Sequence, residues 1–159
     1  GDLIDAEPTN FCIGVAAYPE KHIESPNLAF DLNILKQKQD NGAHYAVTQL
    51  FYDNNCFKNY VAKAQAAGIT LPIIPGLKII SRKDHVYKLP SAFNISLPEE
   101  LTERLMRADT DREVLNIGLD WTYHQAVDLL ESGVRNLHFY IMQNTTPFLR
   151  LMERLKPLL

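Results

Sequence analysis

The sequence predicts an α/β fold built around a parallel β-sheet. Short apolar runs typical of strands alternate with longer segments whose apolar residues repeat at helical spacing. Three of the helical segments end in a glycine (Gly42, Gly68 and Gly133), which is followed by a short spacer and an apolar run. Strands and helices that alternate in this way form βαβ units with right-handed crossovers, so neighbouring strands run parallel.

Four apolar segments are predicted to form the strands. They are expected at residues 11–17, 44–53, 71–76 and 136–142. The first segment, FCIGVAA, is continuously apolar, which is typical of a strand covered on both faces. Residues 1–10 show neither pattern and are expected to form an irregular lead-in. Since no linker interrupts the chain, we expect residues 1–159 to form one domain.

Each predicted helix begins at a recognisable start signal. Serine, threonine and asparagine side chains cap helix N-termini, proline favours the first helical position, and a Ser/Thr three residues before an acidic residue indicates a capping box. The expected starts are Ser25-Pro26, Asn54 or Asn55, SRKD (residues 81–84), Pro98, TDRE (residues 110–113) and Pro147. The SRKD helix is expected to end near Leu89-Pro90 and the TDRE helix near Ser132.

Four parallel strands leave two architectures open. An open flavodoxin-like sheet usually has five strands, whereas a (β/α)₈ barrel has eight strands and typically about 250 residues. This chain of 159 residues is therefore either a small open sheet or about half of a barrel. In both architectures the functional site lies at the carboxyl ends of the strands.

Composition excludes several classes of function. The net charge of −3 gives no general attraction to nucleic acid, and no apolar run approaches the roughly 20 residues that span a bilayer. The acidic start, GDLIDAEPTN, lacks the pattern of a signal peptide. Cys12 and Cys56 are predicted to be free thiols in a reducing cytoplasm. No two of the five histidines have the spacing of a metal-ligand pair, so no metal site is expected.

The first predicted strand ends in a cluster of polar and aromatic residues, YPEKH (residues 18–22). His22 has two interpretations: a solvated loop residue, or a group that faces an anion together with Lys21 and the N-terminus of the next helix. There is no glycine-rich phosphate loop, so a nucleotide would be held by side chains. Asp31 and Lys38, seven residues apart on that helix, form either a solvated face or a surface for ribose and phosphate.

Gln49 is an amide inside the apolar run AVTQLFY. Leaving such a group buried without partners costs on the order of 1–3 kcal/mol, so it requires hydrogen bonds. Its partners are either neighbouring backbone or buried water, or a ligand ring to which the amide both donates and accepts.

Taken together and in this order, the motifs Y-P-E-x-H, T-Q-x-F-x-D, I-I-P-G and H-F-Y resemble the methylenetetrahydrofolate reductase family. The resemblance runs from about residue 11 to the last helix. That family consists of flavoprotein (β/α)₈ barrels. The resemblance implies that the chain corresponds to strands five to eight, the second half of the barrel.

The resemblance also implies roles for individual residues. Tyr18 and His22 match flavin contacts, Asp31 and Lys38 match contacts to the flavin adenosine and phosphates, and Gln49 matches the amide that binds the folate pterin and meets the nicotinamide.

Some positions depart from the family pattern. Ile34 and Gln37 replace an Asn and an Arg, Leu89 replaces an aromatic residue, and His85 and Asn144 stand near positions that contact the folate glutamate tail.

The implied reaction passes a hydride from NAD(P)H through FAD to 5,10-methylenetetrahydrofolate, giving 5-methyltetrahydrofolate for one-carbon metabolism and methionine biosynthesis. The catalytic residue is unknown, because the resemblance places the general-acid glutamate in the missing N-terminal half. We therefore expect the fragment alone to be inactive, and to pair with that half or with a second copy. The alternatives are a non-catalytic half-barrel module that dimerises and, less well supported, a flavodoxin-like binding domain.

Overall fold

The computed structural model describes residues 10–158, so the predicted lead-in lies almost entirely outside the described residues. The described chain contains one sheet of four parallel strands: β1 (Gly14–Ala17), β2 (Tyr45–Leu50), β3 (Ile73–Leu77) and β4 (His138–Phe139). Their spatial order is β1-β2-β3-β4. The predicted α/β fold with parallel strands is confirmed.

The strand order distinguishes the two architectures that the sequence left open. Each strand pairs with the strand that follows it in the chain. A flavodoxin-like sheet instead places its first strand between later ones, in the order 2-1-3-4-5. Consecutive parallel pairing is the arrangement of a (β/α)₈ barrel. The prediction of part of a barrel is therefore confirmed, and the open-sheet alternative is wrong.

Six α-helices connect and follow the strands in the described chain. They are α1 (Leu28–Asp40), α2 (Asn54–Ala66), α3 (His85–Phe93), α4 (Glu99–Arg107), α5 (Asp111–Glu131) and α6 (Thr146–Leu155), followed by a 3₁₀ turn at Lys156–Leu158. No helix in residues 10–158 is both long enough and apolar enough to cross a membrane. Gly42, Gly68 and Gly133 all have positive φ where helices end, as their positions in the sequence predict.

Two helix starts differ from the predictions by a few residues. Asn27 rather than Ser25 caps α1, because the Asn27 side chain accepts a hydrogen bond from the Phe30 amide at 3.0 Å. Asp53 rather than an asparagine caps α2, accepting from the Asn55 amide at 2.9 Å. In both cases a neighbouring polar residue, equally suited to capping, takes the position.

The two predicted capping boxes have different outcomes. TDRE forms one. The Thr110 side chain accepts a hydrogen bond from the Glu113 amide, and the Glu113 side chain accepts one from the Thr110 amide. SRKD does not, because the residue before α3 is Asp84, which makes no side-chain capping bond. Helix α3 also continues through Pro90 to Phe93 rather than ending there.

The first strand is less covered than its apolar sequence predicts. β1 begins at Gly14, and the preceding Phe11 and Ile13 are 74% and 48% exposed. Among the described strands, β1 lies at the edge of the sheet and pairs only with β2. The prediction that both of its faces are covered is therefore wrong within the described chain. Val15 and Ala17 on one face pack into the apolar cluster with α1 and α2, whereas Gly14 and Ala16 on the other face are exposed.

The core lies between the sheet and the helices. One apolar cluster joins Ala17 and Ala46 of the strands to Leu35 and Tyr60 of α1 and α2. Two further clusters pack the later strands and loops against α3 to α6. Burial alternates along β2. The buried residues are Ala46, Thr48 and Leu50, and the partly buried residues are Tyr45, Val47 and Gln49. The helices thus cover one face of β2 more fully than the other.

Candidate cofactor and substrate site

A cleft of about 270 Å³ lies beside the carboxyl end of β1, between the loop that follows this strand and helix α1. All four residues predicted to bind the cofactor line it: Tyr18, His22, Asp31 and Lys38. We call this space the cofactor cleft and residues 18–25 the cofactor loop. The structure therefore brings together four side chains that are up to twenty residues apart in the sequence.

Tyr18 and His22 form the aromatic part of the cofactor cleft. Their ring centroids are 4.6 Å apart, and the rings meet edge to face at 74°. This is a favourable arrangement for an aromatic pair. The His22 side chain is about one-third exposed, at 33%, so the imidazole remains accessible from the cleft.

Asp31 is the buried charge of the cleft, with only 7% of its surface exposed. One carboxylate oxygen accepts a hydrogen bond from the His22 amide at 2.5 Å, and the other accepts one from the Ser25 hydroxyl. This bond explains why Ser25 does not cap α1. The observed contacts of Asp31 fix the cofactor loop, and a direct bond from Asp31 to a ribose stays a prediction.

Lys38, which lies on α1 like Asp31, brings a positive charge to the cleft. Its ammonium group donates to the Ala16 carbonyl of β1 at 3.0 Å. Among residues 10–158, no carboxylate lies within ion-pair distance of this group. An exposed ammonium at the carboxyl end of a strand is suited to bind an anionic ligand.

Gln49 lies on β2, outside the residues that line the cofactor cleft. Its side-chain oxygen accepts from the Leu50 amide at 2.9 Å, where the pairing of β2 with β3 shifts register between Val47 and Leu50. Its side-chain nitrogen makes no hydrogen bond within the described residues. The first interpretation, a bond to neighbouring backbone, accounts for one end of the amide, and the ligand contact stays a prediction.

The carboxyl ends of β2, β3 and β4 meet at Gly76. The Gly76 amide donates to the Thr48 hydroxyl at 2.9 Å, and the Tyr140 hydroxyl donates to the Thr48 carbonyl at 2.8 Å. A Cβ atom on Gly76 would lie 2.3 Å from the Thr48 carbonyl oxygen and 2.7 Å from the Tyr140 ring. Only glycine fits there, which explains the I-I-P-G motif. Thr48 is the first residue of the T-Q-x-F-x-D motif, but the motif alone assigns it no role.

A second cleft, of about 230 Å³, lies at the carboxyl ends of β3 and β4. Its lining residues include Lys78, Arg82, His85 and Asn144. Burial lowers the pKa of Lys78, and burial together with the nearby Lys78 charge lowers the pKa of His85. His85 and Asn144 are among the positions that the sequence indicates, whereas Lys78 is not, although it follows the I-I-P-G motif after one apolar residue.

A comparison with known protein families shows which family has this sequence pattern. A family model described as methylenetetrahydrofolate reductase matches residues 2–156. The chain belongs to the methylenetetrahydrofolate reductase family. The resemblance inferred from the four motifs is thereby confirmed, and it extends over nearly the whole chain.

Curated relatives carry the same family name. Methylenetetrahydrofolate reductase 2 of Saccharomyces cerevisiae is 39% identical over 150 residues, which cover 92% of this chain and 25% of the yeast protein. The 5,10-methylenetetrahydrofolate reductase of Escherichia coli is 33% identical over 137 residues, covering 86% and 46%. Methylenetetrahydrofolate reductase (NADH) 1 of Arabidopsis thaliana is 36% identical over 142 residues, covering 83% and 24%. The chain thus spans about a quarter to a half of these relatives.

Proposed function

We propose that the protein containing this chain reduces 5,10-methylenetetrahydrofolate to 5-methyltetrahydrofolate, with a nicotinamide dinucleotide as reductant and FAD as bound cofactor. Family membership supports the reaction class. The observation that carries the cofactor assignment is the convergence of Tyr18, His22, Asp31 and Lys38 on one cleft. We further propose that the protein acts in the cytoplasm.

The chemistry of the cofactor cleft fits part of a flavin dinucleotide. Lys38 supplies a positive charge that suits a diphosphate, and the exposed imidazole of His22 supplies a hydrogen-bonding edge. Tyr18 supplies an aromatic surface at the end of β1. When bound, the flavin would accept and pass on a hydride. The residues of this chain bind and orient it, and Asp31 holds the loop that carries two of them.

Gln49 is assigned to the substrate. It lies on the less covered face of β2, and its side-chain nitrogen is available within the described chain. An amide can both donate to and accept from the polar edge of a pterin ring. The general acid is assigned to the barrel half that this chain does not contain, so the 159-residue chain alone should have little or no activity.

A visible absorption spectrum tests the cofactor assignment directly. The protein expressed from the complete open reading frame should show flavin bands or acquire them with added FAD. Lys38→Met should weaken FAD binding about tenfold, the scale of one charge-assisted hydrogen bond. Lys36→Met is the matched control, because Lys36 pairs with Asp40 on the same helix outside the cleft.

Two results would contradict this proposal. One is a complete protein that binds no FAD and reduces no methylenetetrahydrofolate with either NADH or NADPH. The other is equal weakening of FAD binding by Lys38→Met and Lys36→Met, because the effect would then not depend on the cleft.

A second candidate function, a half-barrel module that dimerises, is favoured by one observation. The edge strand β1 has no partner on its outer side within the described chain, and Phe11 next to it is 74% exposed. Exposed edges of this kind promote pairing with another chain. Size-exclusion chromatography with light scattering on the 159-residue chain tests this candidate, and a stable monomer would count against it.

A further inference from the structure

The cofactor loop contains a residue in an unusual backbone conformation. Lys21 has φ of +82°, and Asn94 is the other non-glycine residue with positive φ among those described. Residues with a Cβ atom rarely adopt this conformation, and they keep it where surrounding contacts enforce it. Lys21 stands between Tyr18 and His22, the two aromatic groups of the cofactor cleft.

The contacts of Lys21 lie within the loop itself. Its ammonium group donates to the Ser25 carbonyl at 2.7 Å and to the His22 carbonyl at 2.9 Å. Its backbone amide donates to the Tyr18 carbonyl at 3.1 Å, which closes a tight turn. No carboxylate pairs with Lys21 in residues 10–158, so the loop carbonyls are the charge-stabilising partners of this ammonium group.

The outer side of the same turn is attached to the connection between α3 and α4. The Glu20 carboxylate accepts a hydrogen bond from the Ser96 amide at 2.8 Å. The Asn94 side chain donates to the Lys21 carbonyl at 3.3 Å. Burial raises the pKa of Glu20, and the bonds to Ser96 oppose this rise. The turn is therefore held from inside by Lys21 and from outside by Glu20 and Asn94.

We propose that Lys21 is a positioning residue for the cofactor. Its ammonium group gathers the loop carbonyls and so fixes the backbone that presents Tyr18 and His22 to the cofactor cleft. Glu20 anchors this clamped loop to the α3–α4 connection. Lys21 itself is not among the residues that line the cleft. This inference rests on the proposed function, because it assumes that the cleft binds FAD.

Three substitutions at Lys21 in the protein from the complete open reading frame test the clamp. Lys21→Met removes the ammonium group and should weaken FAD binding about tenfold. Lys21→Arg keeps the positive charge and the donors, so it should stay within about twofold of the unaltered protein. Lys21→Gly removes the ammonium group but suits a positive φ, so it should lower the melting temperature less than Lys21→Met does, yet it should also weaken FAD binding. Lys36→Met is the control for loss of a lysine charge.

A flavin-independent measurement distinguishes failure of the clamp from failure of the proposed function. The Ser25 amide donates to the His22 carbonyl at 3.1 Å within the loop. Lys21→Met should accelerate hydrogen exchange of this amide about tenfold while leaving the amides of α1 unchanged. Unchanged exchange, or FAD affinity equal to that of the unaltered protein in Lys21→Met or Lys21→Gly, would overturn the inference. Absence of FAD binding by the unaltered protein, with the loop clamped, would instead overturn the proposed function.

Discussion

Two regions at the carboxyl ends of the strands are held in different ways. At Gly76, three strands meet in direct backbone contact, and Thr48 and Tyr140 complete the contact with hydrogen bonds. At the edge strand β1, polar side chains such as Asp31 hold a loop in place. The first region leaves no room for an added Cβ atom, whereas the second is held by side chains that a substitution can remove. Substitutions at Gly76 should therefore change mainly the stability of the fold. Substitutions beside β1 should change cofactor binding as well as stability.

The largest effect is expected from Gly76→Ala. The added Cβ would lie 2.3 Å from the Thr48 carbonyl oxygen, and backbone on both strands would have to move. We expect a loss of about 3 kcal/mol in the free energy of unfolding, measured by urea denaturation. Gly14→Ala is the matched control on β1, because the three described atoms nearest to its Cβ all belong to the far end of the Tyr45 ring, the closest at 2.4 Å, and this ring can rotate away. An equal loss for both variants would remove the distinction between the two regions.

Asp31→Ala should have the next largest effect. It removes both bonds that this buried carboxylate accepts from the cofactor loop, and we expect a loss of about 2 kcal/mol in the free energy of unfolding. FAD binding should weaken in parallel. Asp40→Ala removes an exposed i,i+4 pair with Lys36 on the same helix and should cost less than about 0.5 kcal/mol. Unaltered stability in Asp31→Ala would show that the loop is held by other groups.

Tyr140→Phe isolates one hydrogen bond at the Gly76 contact. The hydroxyl donates to the Thr48 carbonyl at 2.8 Å, and its removal should lower the free energy of unfolding by about 1 kcal/mol without affecting FAD binding. Tyr87→Phe is the control, because Tyr87 is 64% exposed and, within residues 10–158, its hydroxyl hydrogen-bonds only to the Met106 sulfur. A larger effect on FAD affinity than on stability would contradict the separation of the two regions.

The smallest effect, a dependence on pH, is expected from Glu20→Gln. Because burial raises the pKa of Glu20 above its ordinary value of 4.5, the folded state binds its proton more tightly than the unfolded state. The unaltered protein should therefore lose stability relative to Glu20→Gln as the pH rises from 4.5 through the raised pKa. Glu24→Gln, whose side chain is 87% exposed, controls for loss of one negative charge from the loop. Denaturation curves at several pH values measure this, and a difference of opposite sign would contradict it.

The repeating part of the fold could be predicted from sequence because it depends on local signals. Glycines at helix ends and the Thr110 capping box specify backbone conformation within a few residues. The errors arose where several residues suit the same position, as with Ser25 and Asn27 at the start of α1. The exposure of β1 could not be predicted from its apolar sequence, because burial depends on which neighbouring strand is present.

The candidate site shows a similar division. The resemblance named Tyr18, His22, Asp31 and Lys38, and the structure places all four around one cleft. It did not show that Asp31 bonds to its own loop, nor that Lys21 lies with positive φ inside that loop. These features depend on the three-dimensional path of the loop, and no spacing along the chain encodes them.

The consecutive order of the strands has a consequence for how the chain folds. Because β1 pairs with β2, β2 with β3 and β3 with β4, each pairing joins segments that are successive in synthesis. Contacts between near neighbours in sequence form faster than contacts between distant segments, so the β1–β2 and β2–β3 pairings should form before β3–β4, whose strands are separated by α3, α4 and α5. Each unit can therefore dock on the one made just before it as it leaves the ribosome, and the sheet grows in the direction of translation.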